Sequence, residues 1–244
     1  MTTKDLHYYE PKNGHGLKHD PFNAIIAPRP IGWISSRDGS GNVTLAPYSF
    51  FNAFCYHPPI IGFSSTNWKD SAGNIKDTGE FVWNLATMDL ARQMNATAAH
   101  VARDVDEFKL AGVTQAPCKL VNVPRVAESP VAFECEVTEI VQLQGAGGAK
   151  AQAWLTLGEV VAVRIDKAFI EDGVYQTGLA RPIVRAGRRG AEGGRRRRPG
   201  YGRRGRLEQR PRHARRHGLR REAREGVELR AGRRHRGHGG LRAA

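Results

Sequence analysis

Three short stretches hold residue types able to do chemistry. Leu45–Pro59, LAPYSFFNAFCYHPP, sets Ser49, Asn52 and His57 among aromatic rings and closes on two prolines. A plain buried strand has no use for such groups, since each costs about 1–3 kcal/mol without a partner. Tyr48, Ser49, Phe50 and Asn52 fit a two-residue alternation poorly. Either a bent strand runs beside the core, or a wall faces a flat ligand rimmed with heteroatoms. RPIGWISS, Arg29 to Ser36, places Trp33 beside the hydroxyls of Ser35 and Ser36, with Gly32 allowing close backbone approach. Trp33 is read either as core or as part of a ligand wall. SSTNWKDSAGN, Ser64 to Asn74, ends a strand in hydroxyls, supplies Lys69, and starts a helix near Ser71. Hydroxyls, an ammonium and the free N–H groups of a helix N-terminus suit a phosphate. Against this, Asp70 is placed to cap that helix and would repel the anion.

Other chemistries find no support. No GxGxxG follows a strand, and no GxSxG or Cys–His signature occurs. The histidines lack HxH or HxxxH spacing, so a metal site is not expected. Cys55, Cys118 and Cys135 are odd in number and form no CxxC, which predicts reduced thiols in a cytoplasmic protein. Cys55 itself is read as a small buried hydrophobe. No apolar run is long enough for a transmembrane helix, and the N-terminus does not read as a signal peptide.

The elements that must position these stretches are mostly strands. Ile31–Arg37 and Val43–Ala46 flank Asp38-Gly39-Ser40-Gly41-Asn42, a hairpin loop. Ile60–Ser64 and Phe81–Ala86 read as further strands. Val131, Phe133, Cys135 and Val137 alternate with Glu134, Glu136 and Thr138, predicting a strand with one wet face. Leu155, Leu157, Val161, Val163 and Ile165 are assigned to one face of another long strand, reached through a loop at Gly145–Lys150. Asp70 is read as the cap of a helix ending at Thr78, and Asp89 as the cap of one running to about His100. Many strands, short helices and hairpin connections predict a mainly β fold, an antiparallel barrel rather than a βαβ sheet.

Charge divides the chain. The net charge is +14. From Gly187 onward, 21 arginines stand against 5 glutamates, a net of +16, so the first 186 residues hold 17 basic and 19 acidic side chains. The sequence therefore reads as an N-terminal arm over residues 1–19, a domain over 20–187, and a basic tail over 188–244. The tail lacks Ser, Thr, Asn, Asp, Lys, Ile, Phe, Met, Cys and Trp, a composition that predicts disorder. It is read as a nucleic-acid-binding arm, as a solvated spacer, or as the product of a shifted reading frame in a GC-rich gene. Its near-restriction to residues with GC-rich codons favours the third.

Taken in order, RPIGWISSRDGSGNVTLAPYSFFNAFCYHPP, FSST with KDS and Asn74, TGEFVWNL, DEFKLAG and GLARPIVRAG resemble the flavin reductase-like, FMN-binding split β-barrel family, in its flavoredoxin-like branch. The resemblance covers about residues 20–187. It implies a Greek-key split barrel and a homodimer holding FMN non-covalently at the subunit interface. It further implies that Pro47, Tyr48, Ser49, Phe50 and Asn52 run along the flavin ring. By the same resemblance, Ser64, Ser65, Lys69, Ser71 and Asn74 lie near the ribityl phosphate, with Trp33 and Ser35 at the mouth. The implied activity is hydride transfer from NAD(P)H or another donor to FMN, with onward transfer to an unknown acceptor. The chemistry is then the flavin's, and no catalytic residue is named. The alternatives are an FMN-bound electron carrier without NAD(P)H activity, and nucleic-acid binding through the tail. Family members continue past the arginine motif with an Arg-Leu-Gly-Gly pattern; here Arg188-Arg189-Gly190 follows Gly187 and the resemblance stops.

Because the basic charge lies wholly in the tail, nucleic-acid binding is expected to be tail-borne and strongly salt-dependent. A chain ending at Gly187, assayed by filter binding at physiological salt, should retain neither DNA nor RNA.

Overall fold

A computed structural model describes residues 4–187; the calls on the tail lie outside the described residues. Seven strands form one antiparallel sheet: β1 Gly32–Arg37, β2 Val43–Tyr48, β3 Phe51–Cys55, β4 Ile60–Thr66, β5 Glu80–Asn84, β6 Val131–Gln144 and β7 Lys150–Ile165. Their order across the sheet is β2-β1-β5-β6-β7-β4-β3. The two outermost strands, β2 and β3, are consecutive in the chain and separated only by Ser49 and Phe50. A flat sheet cannot satisfy that connection, so the sheet curls until its edges approach. Rings from β2 and β4 then meet inside, Tyr48 on Phe63 at 4.5 Å between centroids. The result is the mainly β split barrel expected, with few and short helices: α1 Asp70–Thr78, α2 Ala91–Ala96 and α3 Glu107–Ala111.

Alternation sorts the strand residues into two layers. Ile34, Tyr48, Phe63, Phe81 and Cys135 fill the barrel together with Ile75 of α1. Phe51 of β3 stacks on Trp83 of β5 at 5.6 Å and 7°. On the opposite face, Trp33 and Leu45 pack with Leu90, Met94 and Phe108, beneath α2 and α3. Gly158 of β7 has no side chain for a steric reason: a Cβ there would lie 2.4 Å from the Phe81 ring.

The 38–42 hairpin forms as expected. Asp38 accepts the N–H groups of Ser40 and Asn42 and the Asn42 amide, and the Asn42 bond holds its carboxyl below the ordinary value. Several other expectations need correction. Asp70 does not cap α1: Lys69 is the N-cap, and it makes no side-chain cap bond. Asp89 caps nothing either; α2 starts at Ala91 behind Leu90 and ends at Ala96. Cys55 is exposed, because β3 ends at the open edge of the sheet. The face assigned to β7 is broken by register shifts at Leu157/Gly158 and Val160/Ala162, so Val160 packs into the barrel and Val161 outside it.

The wet face of β6 is also corrected at Glu134, whose side chain is 1% exposed. Its carboxylate accepts the N–H groups of Lys119, Leu120 and Val121 and lies 3.9 Å from Arg164. Burial opposes ionisation, but the three backbone donors outweigh it and hold the group below the usual Glu value. Glu134→Gln should therefore cost about 1–3 kcal/mol near neutral pH, read as a urea midpoint. A lowered folded pKa gives stability that is whole above the ordinary carboxylate range and is lost as pH falls through the folded value. The difference between wild type and variant should accordingly shrink on acidification from about pH 7 to about pH 3.

Candidate functional site

The route from β2 through Ser49–Phe50 to β3 passes a chain of clefts. The first, about 260 Å³, is lined by Pro47 and Tyr48 of β2, Trp68, Lys69 and Ser71 around the start of α1, and Glu107 of α3. The second, about 630 Å³, shares Pro47 with the first and adds Ser49, Met94 and Arg185. The third, about 370 Å³, shares Ser49 and Arg185 with the second and adds Phe50 and Arg29. Four consecutive residues, Pro47 to Phe50, thus run along an elongated groove.

Tyr48 is the link between core and groove. Its ring sits in the barrel, while its hydroxyl is buried with no hydrogen-bond partner among the described residues. Burial raises its pKa, so it stays a neutral donor. Behind it lies a polar cluster. The Ser36 and Thr44 hydroxyls are 2.6 Å apart, Thr44 is 3.4 Å from the Ser71 hydroxyl, and Asn74 donates to Ser36 at 3.3 Å. The Asn74 side-chain Oδ1 is buried without a partner among the described residues. Lys69 stands at the rim with its ammonium 5.8 Å from the Tyr48 ring centroid. Because no side chain caps α1, the first-turn N–H groups of that helix remain unclaimed by a cap. Glu107 lines the same cleft and accepts the Leu45 N–H at 3.3 Å; burial raises its pKa.

The sequence-derived residues therefore separate into groups. Pro47, Tyr48, Lys69 and Ser71 come together on the first cleft, and Ser49 and Phe50 continue the groove. Asn74 lies behind Ser71 in the buried cluster. Ser65 is buried and donates to the Asn67 carbonyl at 2.9 Å, while Ser64 points to the other face of β4. Asn52 is exposed on β3, where its side chain accepts the Ala53 N–H. Trp33 and Ser35, expected at the mouth, do not line the groove; Trp33 lies behind it, opposite Pro47 and bonded to Thr97 of the first cleft. Both are fully buried; the Trp33 indole donates to Thr97 at 3.0 Å and Ser35 to the Pro124 carbonyl at 2.6 Å. Their place at the mouth is corrected, because their face of β1 is covered by α2 and the 113–126 segment.

Sequence reasoning missed Arg29, Glu107 and Arg185. Asp106-Glu107-Phe108 carries three roles in three residues: Asp106 caps α3, Glu107 faces the cleft, and Phe108 enters the core. Arg29 is 8% exposed and ties the groove together. Its guanidinium donates to the carbonyls of Ser49, Asn23 and Ile26, and it lies 5.5 Å from the Phe50 ring centroid. It lies between Pro28 and Pro30, where no motif in the sequence marks its side chain. Arg29→Met should lower stability by about 1.5–3 kcal/mol, the range for hydrogen bonds to a charged group. Arg29→Lys should recover little of it, since an ammonium cannot reproduce the fork. Thermal unfolding of the two variants checks this.

Comparison with known proteins adds the following. Residues 26–183 match the model of the flavin reductase like domain. An uncharacterised protein of Halalkalibacterium halodurans is 32% identical over 66% of this chain and 78% of its own length. One from Aquifex aeolicus is 31% identical over 67% of this chain and 83% of its own. Among solved structures, component B of nitrilotriacetate monooxygenase from Bacillus cereus superposes with a TM-score of 0.65 at 27% identity, covering 76% of this chain and 91% of that one. Flavoredoxin of Desulfovibrio vulgaris (Miyazaki F) shares the fold, with a TM-score of 0.57 at 20% identity over 64% of this chain and 81% of that one.

Proposed function

This chain belongs to the flavin reductase-like domain family, and on that premise we propose that it is an FMN-binding oxidoreductase, accepting hydride from NAD(P)H or another donor and passing electrons to a separate acceptor. The single observation that carries the reading is the groove along Pro47–Phe50, which has at one end an ammonium and an uncapped helix start, beside the carboxylates of Asp70 and Glu107, and backbone and aromatic groups along its length. That polarity matches a flat heterocycle joined to a phosphate.

Bound FMN would supply the hydride-accepting ring, and this chain's own groups bind and orient it. Lys69 and the first turn of α1 are assigned to the phosphate, with the Ser71 hydroxyl beside them. The unpaired hydroxyl of Tyr48 is fitted to donate to an oxygen of the ligand, which would relieve the cost of its burial. Pro47, Ser49 and Phe50 are assigned to the ring. Of the remaining expected contacts, Ser64, Ser65, Asn52 and Asn74 are proposed to act through the backbone and cluster that shape the groove. No side chain is needed as acid or base for hydride transfer, and none is assigned.

We place this activity in a cytoplasmic homodimer. Support comes from three unpaired thiols and from the exposed edge strand β3, where Phe54 is 55% exposed, with Tyr56, 82% exposed, just past its end. Exposed aromatic side chains on an unpaired strand edge suit burial against a second copy. No helix of the described residues is long and apolar enough to cross a membrane.

Lys69→Ala separates phosphate binding from ring binding. FMN affinity, read by quenching of flavin fluorescence, should fall by about 1–3 kcal/mol, while riboflavin affinity stays nearly unchanged. Equal loss for both flavins would remove Lys69 from the phosphate. Absence of any flavin quenching by the wild-type chain, together with no flavin-stimulated NAD(P)H oxidation, would overturn the reading itself.

A further inference from the structure

Beside the barrel, Arg29–Pro30 pairs with Val184–Arg185 as a two-residue antiparallel ribbon, in which Arg29 and Arg185 are directly opposite. Residues directly opposite in such a pair project to the same side with Cβ atoms about 4.5–5.5 Å apart, and like charges there repel. Among the described residues neither guanidinium has a carboxylate within 4 Å. Arg29 is held in place by the three carbonyls it already serves, so it cannot swing away. Both arginines line the third cleft, with Ser49 and Phe50 as its other wall. The carboxylate on that cleft, Asp20, accepts the Phe22 N–H at 2.9 Å and keeps its charge, which against two arginines leaves a net of +1.

Two arginines on one cavity of about 370 Å³, facing a single carboxylate, leave it net positive and suited to an anion. We infer that the Arg29–Arg185 pair is a subsite for the anionic group, carboxylate or phosphate, of the second substrate that trades electrons with the flavin. The inference rests on the flavin reading above, since the cleft adjoins the ring-bearing part of the groove through Ser49 and Phe50. It lies at the opposite end of the groove from Lys69 and Ser71, so it does not compete for the flavin phosphate. The two arginines divide the work: Arg29 is the buried, fixed member, and Arg185 the exposed one that closes on the ligand.

Arg185→Met tests this, because the ribbon pairs through backbone groups that the change leaves intact. The full chain and the variant are titrated calorimetrically at physiological salt with benzoate, NAD⁺ and NADP⁺. Lys150→Met, at the far hairpin tip, is the control for charge alone. The arginines after Gly187 are common to all three proteins, so only differences are read. We expect at least one probe to lose tenfold or more in affinity with Arg185→Met and to be unchanged with Lys150→Met. Because Arg185 also lines the second cleft, FMN affinity by fluorescence quenching is expected to fall by less than the affinity of the affected probe. Loss of benzoate binding assigns the subsite to a carboxylate; loss of dinucleotide binding assigns it to a phosphate. If every probe binds wild type and Arg185→Met alike, or none binds, the subsite does not exist. If FMN is lost in parallel, Arg185 serves the flavin and the inference is wrong. Failure of the flavin reading shows separately, as absence of quenching in the wild-type chain whatever the anion titrations give.

Discussion

One constraint governs this molecule: a single stretch, Val43 to Cys55, supplies both edges of the sheet. Two residues, Ser49 and Phe50, must bridge from one edge strand to the other. Everything between them is curled by that requirement. The curl brings Tyr48 against Phe63 and Phe51 against Trp83, so the barrel is filled by rings contributed from both sides of the joint. The joint is itself pinned, by the Ser64 N–H donating to the Phe50 carbonyl at 2.8 Å and by Arg29 holding the Ser49 carbonyl. A bridge so short leaves little freedom, and the clefts along it inherit that rigidity. Groups meant to meet a ligand therefore need not be ordered when it binds.

The same geometry explains why polar and aromatic residues are mixed along Leu45–Pro59. Inward positions are rings, while the bridge and the open edge carry Ser49 and Asn52. Neither of the two readings of that stretch excludes the other: it is a bent strand beside the core, and its outer side is the wall of a groove. Tyr48 belongs to both, with its ring in one and its hydroxyl at the other.

Local patterns were legible where their causes are local. The 38–42 hairpin is fixed by Asp38 bonding to residues two and four positions on. The strand positions followed from alternation, and the barrel from the number of strands and hairpins. What escaped was set by distant partners. Glu134 reads as a wet-face residue until the 119–121 turn arrives from elsewhere in the chain to use its carboxylate. Trp33 and Ser35 look like site residues until α2 and the 113–126 segment cover them. The break in the face of β7 needs the register of two neighbouring strands, which no periodicity contains. Of the proposed site, Lys69 and Ser71, which we assign to a phosphate, and the Pro47–Phe50 run were visible by type and by family likeness. Arg29 and Arg185 were not, because their meaning lies in being opposite each other across 156 positions of chain.

The bridge at Ser49–Phe50 also bears on how this protein would fail. That joint ties together the two end strands of the sheet, β2 and β3, whose outer edges have no strand partner among the described residues. A protease cut there would release β2 and β3 from each other without removing a single core residue. The outer edges of both strands, already without a strand partner, would then be free to move toward a neighbouring molecule. Such edges template intermolecular pairing. Damage at a two-residue connection would therefore express itself less as lost ligand affinity than as self-association, with the first fibre-forming contact made by the strands that the intact chain keeps tied together.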